Sequence, residues 1–201
     1  MRVLAIIALG CSLSACALTV DQIDVPYQAG ANLSVVEGAS NARVQVLGDD
    51  GRTVYKNRVS VKKNGYGMEM ADIVAKNDIP KTVAEGVEKE LGSLGYSIGP
   101  GGVRVMVEIL RFYSDFKMGF LSGDAVADAS AAVKIIGPDE KIAFAKNYEA
   151  GGIEEQIQLA SGDNARAALI KAMRNLVGTI INDKAFQDAI KAAQPKNATA
   201  S

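Results

Sequence analysis

Val103-Arg104-Val105-Met106-Val107-Glu108-Ile109-Leu110 is the stretch that decides the fold of this chain. Val103, Val105, Val107 and Ile109 fall on one face of an extended backbone, and Arg104, Met106, Glu108 and Leu110 on the other. A period of two over eight residues predicts a half-buried strand, and the strand continues to about Phe116. Just before it, Gly99-Pro100-Gly101-Gly102 breaks the chain. That turn lacks a Lys-Ser/Thr ending and leads into a strand, so it is not a phosphate-binding loop.

Downstream, a bend at Gly119–Gly123 returns the chain into a second strand, Ala125 to Ile136. Its core face is Ala125, Ala127, Ala129, Ala131, Val133 and Ile135, and a row of alanines lets a helix approach a sheet closely. Gly137-Pro138-Asp139-Glu140 turns the chain into a third strand, Ile142 to Tyr148. A long helix follows, capped by Ser161 or Asp163, with Ala165, Ala168, Leu169, Ala172, Met173, Leu176, Val177, Ile180 and Ile181 on its apolar face. A shorter helix near Lys184–Ala193 adds Phe186 and Ile190, and Pro195 ends it. Residues 195–201 read as a disordered polar tail.

Upstream lies another helix. Asp78 caps it, Pro80 suits its first turn, and Val83, Val87, Leu91 and Leu94 form its stripe before Gly95 stops it. Before that, Leu33–Glu37 is a first strand candidate, set parallel to the 103–116 strand by a right-handed crossover. Val44–Leu47 and Val54-Tyr55 form a hairpin around Gly48-Asp49-Asp50-Gly51, and Val59 and Val61 continue the alternation. The order predicts an α+β domain over residues 31–194. It should hold a mixed, mostly antiparallel sheet of about four to six strands, with two main helices packed on one face and a short C-terminal helix.

The N-terminus carries an address. Arg2 and the terminal amine precede the apolar run Val3–Leu9, which is too short for a membrane span, and Leu13-Ser14-Ala15-Cys16 closes the segment. The pattern looks like a lipobox: residues 1–15 are a signal peptide, and the Cys16 sulfur carries lipid. Cys11 is a poorer candidate and lies in the discarded segment. Residues 16–30 would then be the lipidated Cys and a linker. Resemblance to triacylated envelope lipoproteins implies a diacylglycerol and an N-acyl chain on Cys16, enough for near-permanent anchoring at ~0.8 kcal/mol per buried methylene. Ala17, where an Asp commonly signals inner-membrane retention in such proteins, favours the outer membrane with the domain in the periplasm.

Composition narrows the chemistry. There are 22 Lys and Arg against 23 Asp and Glu, so nothing basic is in excess to hold nucleic acid. The chain has no His, and both cysteines are taken by the signal and the anchor. Histidine-dependent triads, thiol nucleophiles and zinc sites are therefore excluded, and no cofactor, metal or catalytic residue is expected.

Leu94-Gly95-Tyr96-Ser97-Ile98-Gly99-Pro100, Tyr113-Ser114-Asp115 and Lys146-Asn147-Tyr148-Glu149-Ala150, together with the lipobox and the C-terminal helix, resemble the YajG family of uncharacterised bacterial lipoproteins. The resemblance covers roughly residues 33–192 and implies a small α/β envelope domain. The domain that the resemblance implies would be broadly similar to auxiliary lipoproteins of lipid-transport and lipopolysaccharide-assembly machines, and the resemblance transfers no catalytic or binding residue.

One surface stands out. Phe112, Phe116, Met118, Phe120 and Leu121 crowd the bend between the two longest strands, beside Lys117. Either they close one end of the core, or they form an apolar tip for an envelope protein partner or a lipid tail. Glu154 and Glu155 are adjacent and face opposite ways in a strand, which is poor geometry for acid/base work. Tyr66 sits between glycines in a plain loop or presents its ring to a ligand. The expected function is a non-enzymatic binding or scaffold module held at the membrane through Cys16. The alternative is a lipid-transport or lipopolysaccharide-assembly accessory with a crevice for an acyl chain.

Overall fold

The structure is a computed structural model that describes residues 18–30, 34–54, 56–119 and 121–194. The signal segment, Cys16, Phe120 and the C-terminal tail lie outside the described residues. Among the described residues eight strands and three α-helices follow in the order β1 (Asp21–Ile23), β2 (Arg43–Asp50), β3 (Arg58–Lys63), β4 (Glu69–Ala75), α1 (Ile79–Ser93), β5 (Ser97–Ile98), β6 (Val103–Met118), β7 (Gly123–Ile136), β8 (Ile142–Ile157), α2 (Gly162–Ile181) and α3 (Lys184–Ala192).

The fold is α+β, but with two sheets where the sequence suggested one. Five strands run β5-β2-β6-β7-β8, and a second sheet orders β1-β4-β3. In the larger sheet β2 pairs parallel with β5 and β6, while β6–β7 and β7–β8 are antiparallel and form the longer ladders, so the sheet is mixed. α1 packs over β2 and β6, and α2 over β8 and β7.

The local reasons are those of the sequence in most places. Asp78 accepts from the Lys81 amide at 3.0 Å at the start of α1, and Val83, Val87, Leu91 and Leu94 are buried. Gly95 takes φ 96° after the last turn. Ser161 accepts from the Asn164 amide and caps α2, whose apolar face is buried throughout. The alternate residues of β7 from Ala125 to Ile135 are all in the core, and Phe186 of α3 meets Phe144 edge-on with ring centroids 6.2 Å apart.

Three expectations fail. Residues 34–38 form no strand; the strand parallel to β6 is β2. There is no hairpin at Gly48-Asp49-Asp50-Gly51, because β2 runs straight through Gly48, and Val54 lies outside any strand. Gly48 serves helix approach instead of turning: a Cβ there would come within 2.3 Å of the Pro80 carbonyl oxygen on α1. The linker is also folded over much of its length. β1 pairs parallel with β4, Val25 donates to Asn77 Oδ1 at 2.8 Å, and Arg166 donates to the Asp24 carbonyl at 2.7 Å. The Tyr27 ring lies over Gly86, and its hydroxyl donates to Glu90, a carboxylate only 6 % exposed. Burial and that carboxylate push the Tyr27 hydroxyl far above its usual range, so it stays protonated.

Candidate functional site

The bend between β6 and β7 divides. Phe112 and Phe116 are 2 % and 5 % exposed and belong to the core, so they are not docking residues. Met118 is 39 % and Leu121 83 % exposed. The cause is a bulge in β6. Ile109 pairs with Ala131 and Arg111 with Ser130, leaving Leu110 as the extra residue. One inserted residue switches which parity faces inward. Before it the buried residues are Val103, Val105, Val107 and Ile109; after it they are Phe112, Ser114 and Phe116.

The other singled-out residues separate as well. Glu154 pairs with Lys171 of α2 at 2.8 Å, while Glu155 is exposed on the opposite side of β8. Tyr66 is exposed at the β3–β4 turn, whose backbone is held by Asn64: its Oδ1 accepts from the Tyr66 and Met68 amides at 3.0 Å.

A shallow concavity lies elsewhere, along β8. Its walls are β8 at Lys146, Tyr148 and Glu149, and α2 at Arg174 and Asn175, with Asp183 at the entry to α3; the cavity measures about 850 Å³. Asp183 organises its floor. One oxygen accepts from Lys146 Nζ at 2.7 Å and from the Tyr148 hydroxyl at 2.8 Å, and the other caps α3 by accepting from the Ala185 amide at 2.8 Å. Lys146 and then Tyr148 hold the Asp183 carboxyl down to about 2, well below the ordinary carboxylate range. The Tyr148 hydroxyl is pushed far up by burial and by that carboxylate, and Lys146 Nζ stands 5.1 Å from the centre of its ring.

β8 is an edge strand that pairs only with β7 among the described strands. Its outward carbonyls at Gly151 and Ile153 are closed by α2: Asn175 Nδ2 donates to the first at 2.8 Å and Lys171 Nζ to the second at 2.7 Å. Residues 146–149 line the open cavity. An edge strand beside a polar helix face is suited to taking an extended segment as one more strand, with backbone bonds for affinity and flanking side chains for selection. Sequence reasoning missed this site because it ended the strand at Tyr148, where the edge continues to Ile157. The signal within reach was the alternation running on through Ala150 and Gly152.

Among the described residues there is no cluster of acidic side chains fit to hold a metal ion, and no helix is long and apolar enough to cross a membrane.

A family model described as "Uncharacterized lipoprotein" matches residues 30–191. No curated protein matches by sequence. Among solved structures, the Xanthomonas campestris protein XCC0632 superposes with a TM-score of 0.57 at 9 % identity, covering 87 % of this chain and 99 % of that one. A second, an uncharacterized protein, gives 0.54 at 11 % identity over 81 % of this chain and 97 % of that one. A minor lipoprotein from Acinetobacter baumannii gives 0.42 at 6 % identity over 77 % and 94 %. The first two likenesses show that the fold is shared.

Proposed function

The chain belongs to this family of uncharacterised lipoproteins, and on that premise we propose that it is a non-enzymatic binding or scaffold module of the envelope, anchored through lipid on Cys16. The anchor places the domain in the periplasm against the outer membrane, as Ala17 after Cys16 favours. Tethering raises the local concentration of any partner at the same membrane, so a modest contact suffices.

One observation carries the binding reading: the groove along β8, where an edge strand and a polar helix face stand open together. Its charged and amide lining suits an extended protein segment. An acyl chain would have to displace water from Lys146, Arg174 and Asp183 with no compensating hydrogen bonds, which favours the scaffold over the lipid-carrier alternative. The absence of His from the chain supports a role without acid/base chemistry at neutral pH.

The test is a photo-cross-linking side chain in place of Asn147, irradiated in intact cells. A discrete protein adduct that disappears in the Cys16→Ser protein is the expected result. Adducts to phospholipid or lipopolysaccharide alone would transfer the argument to the lipid-handling role, and a lack of adducts would remove the groove as the docking surface.

A further inference from the structure

Four segments converge on the end of the molecule where the chain enters the fold. β1 runs parallel to β4 with Asp21 opposite Ile73, so the residues before Asp21 extend towards the β3–β4 turn. Lys62 next to that turn confirms the path: its Nζ donates to the Thr19 carbonyl at 3.0 Å and pairs with Asp21 at 2.7 Å. Lys63 pairs with Asp115 and brings the same turn beside the last residues of β6. Asp21 Oδ2 accepts from the Gly162 amide at 3.0 Å, which sets the start of α2 against β1. Gly123 pairs with Ile157, so the β6–β7 bend and the β8–α2 loop leave the large sheet together.

Each segment brings an exposed apolar side chain to this end. Leu18 and Val20 precede β1, Tyr66 and Met68 lie in or beside the β3–β4 turn, Leu121 is on the bend, and Leu159 is in the loop before α2. Tyr66 at 92 % and Leu121 at 83 % exposure have almost no protein contact of their own. Lys117 adds an exposed cation beside them. Six such residues on one end make a patch that soluble surfaces seldom leave open.

The chain says what covers it. Cys16 stands two residues before Leu18, a step that spans at most ~7 Å. A lipid on that sulfur therefore enters the bilayer within one headgroup layer of this end, with no free linker between. We propose that this end of the molecule lies against the bilayer surface, with Leu18, Val20, Tyr66, Met68, Leu121 and Leu159 set among the lipid headgroups. The domain is thereby held in one orientation, with Lys117 reaching the phosphates. The inference rests on the lipid at Cys16; it adds that the domain is a membrane-docked body and not a module on a leash.

The test uses the full-length lipidated protein in vesicles of phosphatidylethanolamine and phosphatidylglycerol. An environment-sensitive dye is attached at Leu121→Cys, at Tyr66→Cys, or at Lys141→Cys in the β7–β8 turn. The last lies about 40 Å away along β7. Flotation reads the anchor, and the dye reads docking. The expected result is flotation of all three, with blue-shifted emission at positions 121 and 66 that brominated lipid quenches, and water-like emission at 141. Flotation with water-like emission at 121 or at 66 overturns the docking while the anchor stands. Failure to float overturns the anchor, and the docking with it.

Discussion

Gly152 on β8 and Ala168 on α2 meet backbone to backbone: a Cβ on Gly152 would stand 2.2 Å from the Ala168 carbonyl oxygen and 2.3 Å from the Ala172 nitrogen. Neither atom can give way without moving the helix. Gly152→Ala should therefore lower stability by about 3 kcal/mol. Its neighbour is the control, because a Cβ on Gly151 meets only the Ala127 carbonyl at an ordinary 3.5 Å. Gly151→Ala should stay within about 0.5 kcal/mol. Urea unfolding of the two variants checks both, and equal losses would refute the close approach as the reason.

Acid should weaken the joint between β8 and α3. The Asp183 carboxyl titrates at about 2 in the folded protein, below its ordinary 3.8, because Lys146 and Tyr148 donate to the ionised form. A lowered folded value means the contribution is complete above about pH 4 and is lost as pH falls towards 2. Lys146 is half exposed, so solvent reduces the effect to about 1 kcal/mol. Asp183→Asn keeps a capping oxygen for α3 and removes the charge. The variant should lose stability at pH 6, and its melting temperature should fall less than that of the wild type between pH 4 and pH 2.

The bulge at Leu110 explains how far the sequence could be read. Helix caps, apolar stripes and the alanine face of β7 follow from spacing alone, and the structure repeats them residue by residue. A bulge carries no sequence mark here. Unbroken alternation would have sent Arg111, Tyr113 and Asp115 inward and Phe112 and Phe116 out. Gly48 and Tyr27 failed differently. A glycine beside two aspartates is the composition of a turn, and its need for α1 overhead is a tertiary fact. Tyr27 finds Glu90 across 63 positions of sequence, beyond any local pattern. The β8 groove was hidden for a nearer reason: the strand was ended at Tyr148, whereas its edge runs on to Ile157 and meets Lys171 and Asn175 of the next helix.

The bend gives a direct comparison. Phe112→Ala and Phe116→Ala remove buried rings and should each cost about 3–5 kcal/mol, whereas Leu121→Ser removes an exposed side chain and should cost less than about 0.5 kcal/mol. Thermal melts of the three variants check the parity switch at Leu110. A Phe116→Ala protein as stable as Leu121→Ser would place that ring outside the core.

Lys171 and Asn175 guard the far half of the β8 edge by donating to the Ile153 and Gly151 carbonyls. An edge strand stripped of such covers offers its free carbonyls to another chain. The Lys171→Ala, Asn175→Ala double variant also loses the half-exposed Lys171–Glu154 pair, which is worth no more than about 1 kcal/mol, so the fold should survive. Its association should change instead. Light scattering across a concentration series should show the double variant forming larger species than the parent at the same concentration. A substitution of Asn147 by Pro in the double variant would remove a backbone donor from the same edge and should reverse the association. If the double variant matches the parent at every concentration, the two side chains serve helix packing alone.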